Sequence, residues 1–166
     1  RHGRRTGDIL MTTRRGLIRG LILMVALSAG GEAAANPRNH SFDLKEPNSF
    51  YYFLVAQFKS FEEDDKGTQK NLTLALEKNP DSGFLWNQKA YLDAKLGNIE
   101  EAYRDTQTSL AKDPNNVDSL LLMGKISALK QHQQLAISYY RKAVALDPKN
   151  EEAYNLMARD YLELGD

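Results

Sequence analysis

Between residues 49 and 166 the apolar side chains recur at i, i+3, i+4 and i+7. Examples are Trp86, Ala90 and Leu92, then Leu120, Met123 and Gly124, then Tyr154, Met157, Ala158 and Tyr161. That one-face pattern predicts a series of amphipathic helices. Their punctuation is regular. Pro80, Pro114 and Pro148 stand 34 residues apart, inside the kindred phrases EKNPDS, AKDPNN and ALDPKN. A proline disfavours helical backbone in the residue before it, so each marks the end of a helix. The Asp, Asn or Ser just beyond offers a side-chain oxygen to cap the next helix. Midway between prolines, Gly97 and Gly165 suit a left-handed helix stop, while Glu63 and Gln131 hold the equivalent places as poorer stops.

These marks divide the chain into hairpins of two helices at 49–82, 83–116 and 117–150, with a fourth begun at 151–166. One hairpin cannot bury its own apolar face, so neighbours must stack into a continuous core. The predicted fold is all-α, with about three and a half helical hairpins. Leu156, Met157, Tyr161 and Leu162 lack a partner helix within the fourth frame, so the chain is expected to be part of a longer one.

The frames resemble the tetratricopeptide repeat family. Its pattern places a large residue at position 4, a small one at 8, an aromatic at 11, small at 20, aromatic at 24, small at 27 and proline at 32. The third frame carries Leu120, Gly124, Ala136, Tyr140, Ala143 and Pro148, departing at Ser127. The second carries Trp86, Ala90, Ala102, Ser109 and Pro114, departing at Asp93 and Thr106. The first carries Tyr52, Ala56, Ala75 and Pro80, departing at Lys59 and Thr68. The resemblance implies a right-handed α-α superhelix, a solenoid whose concave side binds a protein or peptide. The family's chaperone-binding members hold a carboxylate with a set of Lys, Asn and Arg. Phe53, Gln57, Gln88, Asp118 and Leu122 stand at those positions here, so that clamp is absent.

The first 35 residues read differently. Met11 opens a basic run through Arg14, Arg15 and Arg19, followed by the apolar GLILMVALSAG at 20–30 and by Ala33, Ala34 and Ala35. A basic start, an apolar stretch about ten residues long and small residues before the cut make a signal peptide over 11–35, cleaved after Ala35. The apolar run is about half a membrane span, so no membrane insertion is expected after cleavage. Arg14-Arg15 also fits twin-arginine export, although paired arginines are common in any such leader and Sec is favoured. Residues 1–10 read as translated sequence upstream of the true start. Residues 36–48 are polar, with Pro37 and Pro47, and form a linker. The destination is periplasmic or secreted.

Charge narrows the function further. The zero formal net charge hides six arginines in residues 1–35, and without that segment 16 Lys and Arg face 20 Asp and Glu. A mildly acidic body without a basic stripe argues against nucleic acid. No cysteine is present, which removes thiol chemistry. His2, His40 and His132 are scattered, and no metalloprotease, serine-hydrolase or phosphate-loop motif occurs. The run Glu62-Glu63-Asp64-Asp65 lacks the alternating ligands and turn glycine of a calcium loop. No metal, cofactor or enzymatic activity is expected.

What remains is a binding face. Positions 2, 5, 9 and 12 of each hairpin's first helix lie about 100° from its buried side. They give Phe50, Phe53 and Gln57, then Phe84, Asn87 and Tyr91, then Leu121 and Lys125, then Asn155 and Arg159. Aromatic residues beside amides and cations suit an apolar peptide or helix with an acidic or carboxylate end. Equally, Phe50, Phe53 and Phe84 can pack under residues 36–48 or against each other. The expected function is an interaction scaffold for a peptide or protein in the bacterial cell envelope. The alternative is the N-terminal accessory module of a larger envelope enzyme. Oligomeric state is not legible.

Overall fold

A computed structural model describes residues 47–165. The signal-peptide, upstream and most of the linker assignments lie outside the described residues. Those residues form seven α-helices and contain no strand: α1 (Ser49–Phe61), α2 (Asp65–Lys78), α3 (Gly83–Lys95), α4 (Ile99–Lys112), α5 (Val117–Leu129), α6 (Gln133–Leu146) and α7 (Glu151–Leu164). None is long and apolar enough to cross a membrane.

The 34-residue beat has a local cause at each joint. Asn48, Ser82, Asn116 and Asn150 precede α1, α3, α5 and α7, each extended in backbone. Their side-chain oxygens accept from the amides of Tyr51 (2.9 Å), Leu85 (3.2 Å), Ser119 (2.9 Å) and Ala153 (2.9 Å). Each such bond satisfies one amide that the first helical turn leaves open. The Asp-Pro turns are laced in the same way, with Asp113 accepting from Asn115 N and Asp147 from Lys149 N, both at 3.2 Å.

The mid-hairpin stops follow one geometry whatever the residue. Gly97 and Gly165 have φ of 81°, and Glu63 and Gln131 take φ of 59° and 61°. Backbone closure of the hairpin therefore overrides side-chain preference at Glu63 and Gln131, at a cost of about 1–2 kcal/mol for an L residue there.

The structure divides into two compact units, with the division inside α2 between Asn71 and Leu72. In the first unit, Ala56 and Phe58 are buried and Asp64 caps α2 by accepting from Gly67 N at 2.8 Å. Lys59 pairs with Glu62 at 3.1 Å and Asp64 at 3.4 Å. In the second unit α3 packs on α4, α4 on α5, α5 on α6 and α6 on α7, with α5 also touching α3 and α7. One core gathers Leu120, Leu121, Ala136, Tyr140, Ala143 and Ala153, and another gathers Ala90, Ala102, Leu122 and Ile126.

Of the departures from the family pattern, Lys59 is half-buried, while Thr68, Asp93, Thr106 and Ser127 are buried and chemically settled. Thr68, Thr106 and Ser127 donate to the carbonyls four residues back, Asp64, Ala102 and Met123, at 2.9, 2.6 and 2.8 Å. With its proton spent inside its own helix, each hydroxyl acts as a small space-filling group. Asp93 is met by Lys89 at 3.0 Å, and the same ammonium also pairs with Asp105. Burial of Asp105 raises its pKa, and the Asp93 carboxylate adds to that rise. Lys89 draws in the opposite sense; burial pulls its own pKa down, yet the Asp105 and Asp93 carboxylates together hold it above its ordinary value. At Asp93, Thr106 and Ser127 polar residues stand where the pattern has aromatic ones, without leaving these groups unpaired.

Candidate functional site

The second unit presents α3, α5 and α7 side by side, and two shallow cavities open on them. One, of about 340 Å³, is lined by Asn87, Gln88, Tyr91, Asp118, Leu121, Leu122, Lys125 and Glu152. The other, of about 420 Å³, is lined by Lys125, Ala128, Leu129, Leu156, Arg159 and Glu163. Lys125 belongs to both. Shallow, partly apolar depressions between helices, with a few converging polar groups, are a common form of binding site.

Of the residues read from sequence, Asn87, Tyr91, Leu121 and Lys125 meet in the first cavity, and Lys125 and Arg159 in the second. Phe84 and Asn155 are exposed and line neither. Phe50, Phe53 and Gln57 belong to the first unit; Phe50 and Gln57 are exposed and Phe53 is half-buried. Exposure varies widely within the set. Tyr91 is 61% exposed, whereas Asn87 at 5% and Leu121 at 4% form the cavity floor.

Asn87 is fixed from beneath. Its Nδ2 donates to Ser119 Oγ at 2.8 Å. Ser119 shares its own proton between Asn116 Oδ1 at 2.9 Å and Ser109 Oγ at 2.7 Å. Ser109 reaches Gly83 O at 2.7 Å. This buried chain ties α3, α4 and α5 together and holds one end of the Asn87 amide, so the cavity floor has a set geometry.

Electrostatics separate the two cations from the role expected for them. Lys125 Nζ lies 2.5 Å from Glu152 Oε1. Arg159 donates through Nε and Nη2 to Asp160 Oδ1 at 3.2 Å, and Asp160 is 0% exposed. Both cations are thus engaged by carboxylates of α7. Asp118 has no ion pair among the described residues, and Glu163 accepts only from Gln133, at 3.3 Å. The expectation of an acidic occupant rested on Lys125 and Arg159, and each already has a carboxylate partner.

Asp118 and Glu152 were not among the residues expected to line the face, yet a signal for them existed. They occupy position 2 of their frames, the same position that yielded Phe50 and Phe84. Hydrophobic patterning draws the eye to aromatic residues there and passes over carboxylates. Ala128 stands at position 12 of its frame, whereas Leu129, Leu156 and Glu163 carry no such mark. Among the described residues no group of three or more His, Asp or Glu is placed to hold a metal ion.

The tetratricopeptide repeat family matches residues 117–150. The protein SGT1 homolog of Bos taurus is 38% identical over 72 residues, covering 40% of this chain and 21% of that protein. Protein adenylyltransferase fic-1 of Caenorhabditis briggsae is 34% identical over 95 residues, covering 53% of this chain and 19% of that protein. The chain spans about a fifth of the length of these two relatives. Among solved structures, the first tetratricopeptide domain of Spaghetti (RPAP3), bound to the HSP90 peptide SRMEEVD, superposes with a TM-score of 0.67. It is 16% identical, and the match covers 71% of this chain and 94% of that one. Residues 117–150 are thus a tetratricopeptide repeat, and the described residues share the all-α fold of solved tetratricopeptide domains.

Proposed function

We propose that this protein is a non-catalytic interaction scaffold, that the α3–α5–α7 face binds a peptide or an extended segment of another protein, and that it works in the cell envelope after export. The observation that carries the binding reading is the pair of cavities joined at Lys125, with Tyr91 standing 61% exposed at one rim and Leu129 68% exposed at the other. Exposed large side chains beside a fixed polar floor are costly to leave in water and favour an apolar partner. Asn87, held by Ser119, supplies a polar group of settled orientation at the base. That a solved neighbour of the same fold holds a peptide supports the reading, as does the lack of a catalytic motif in the sequence.

The envelope location rests on residues 11–35, with their basic, apolar and small-residue segments in order. A second reading makes the chain an accessory module of a larger enzyme. The likeness to an adenylyltransferase of which this chain spans 19% supports it. A catalytic constellation encoded in the flanking sequence would favour this second reading.

Selection of phage-displayed random peptides on the full chain tests the binding site. Enriched peptides are expected to lose roughly ten-fold or more in affinity for Tyr91→Ala, the loss typical of an exposed aromatic anchor. Circular dichroism should be unchanged. Peptides that bind parent and variant equally would overturn the site assignment.

A further inference from the structure

We infer that the segment recognised on the α3–α5–α7 face is basic and apolar, with a Lys or Arg side chain received between Asp118 and Glu152 and an aliphatic side chain laid on Ala128, Leu129 and Leu156. The inference rests on reading this face as a peptide groove and specifies its occupant.

The lining holds two cations, Lys125 and Arg159, against three carboxylates, Asp118, Glu152 and Glu163. Pairing sharpens that imbalance. Among the described residues Arg159 is the only cation that reaches Asp160, whose carboxylate is fully buried with Oδ2 lacking any hydrogen-bond partner there. Moving the guanidinium to an incoming carboxylate would leave a buried charge alone, a costly exchange. Lys125 already pairs with Glu152, so a ligand carboxylate must share that ammonium and stand close to the charges of Glu152 and Asp118. A basic ligand finds Asp118 unpaired and Glu152 half-exposed in the same cavity. It gains one ion pair outright and competes with Lys125 for a second. Beyond Lys125 the second cavity turns apolar, with Leu129, Leu156 and Ala128 on its walls and Glu163 at its edge.

The probes are two fluorescein-labelled, amidated octapeptides, GLRLGRLG and its twin GLELGELG, titrated against the full chain by anisotropy. The arginine peptide is expected to bind the more tightly and to weaken as salt rises. Asp118→Asn should weaken it by roughly two- to five-fold, the range of exposed ion pairs. Lys125→Met, which frees Glu152, should strengthen it by a similar roughly two- to five-fold. Glu101→Gln on α4, away from both cavities, should leave it unchanged. That control separates the site from general attraction to an acidic chain.

Tighter binding of the glutamate twin, weaker arginine-peptide binding by Lys125→Met, or no binding of either peptide would overturn the inference. If the glutamate twin binds and Tyr91→Ala abolishes that binding, the charge assignment falls while the groove stands. If the arginine peptide binds but neither Tyr91→Ala nor Asp118→Asn weakens it, both readings fall.

Discussion

Gly124 and Tyr140 offer the sharpest test of how α5 and α6 meet. A Cβ built on Gly124 would stand less than 3.0 Å from three atoms of the Tyr140 ring, closer than real Cβ atoms approach anything. Tyr140 is fully buried, so its ring has no room to retreat. Gly124→Ala should therefore pit two effects against each other. Replacing a helical glycine by alanine ordinarily stabilises by about 0.5–1 kcal/mol. Forcing an extra methyl into a packed contact costs about 1–3 kcal/mol. The steric term wins, and the expected net loss is about 1–2 kcal/mol. Urea unfolding followed by far-ultraviolet circular dichroism would read this as a lower midpoint by roughly half to one molar. Tyr140→Leu alone opens a cavity and is itself destabilising by about 2–4 kcal/mol. The double variant should lose less than the two single losses combined, because the new methyl enters the space the ring vacates. A coupling of about 0.5–3 kcal/mol is the size usual for touching residues. A Gly124→Ala protein as stable as the parent, or an additive double variant, would refute the contact.

Two other outcomes follow from the same physical reading. Burial raises the Asp105 pKa in the fold, so its contribution is fully present below the unfolded-state pKa and is lost as pH rises through the folded value. Asp105→Asn should flatten the fall in urea midpoint between mildly acidic and neutral pH, and a steeper fall would contradict that sign. For export, the intact mass of the envelope form should correspond to a chain beginning at Asn36, and a mature chain that retains Leu21 would rule out cleavage.

Much of the fold was legible because its signals are local. A proline acts on the residue before it, a cap on amides three residues ahead, and a glycine on its own φ. Pro80, Pro114 and Pro148 therefore announced the helix ends, and the caps Asn48, Ser82, Asn116 and Asn150 share their period. Glu63 and Gln131 looked like weak stops, yet both adopt the left-handed turn because the hairpin must close there. Asp93 and Thr106 looked like defects, because a pattern of large and small residues says nothing of which hydrogen bonds await a polar group. Thr106 finds its acceptor within its own helix, whereas Asp93 needs Lys89, which also serves Asp105 from the neighbouring helix.

The candidate site divides along the same line. Tyr91, Lys125 and Arg159 are marked by helical period alone, since period decides which side of a helix a residue occupies. Whether their charges are available is decided elsewhere. Glu152 lies 27 residues from Lys125, and Ser119 lies 32 from Asn87. By itself the sequence determined the helices, their ends and the side each residue faces, because those depend on neighbours within a turn or two of chain. Only the tertiary structure decided which of those charges are already spent, because electrostatic and hydrogen-bond partners are chosen by distance in space, and stacking brings together residues about one repeat apart.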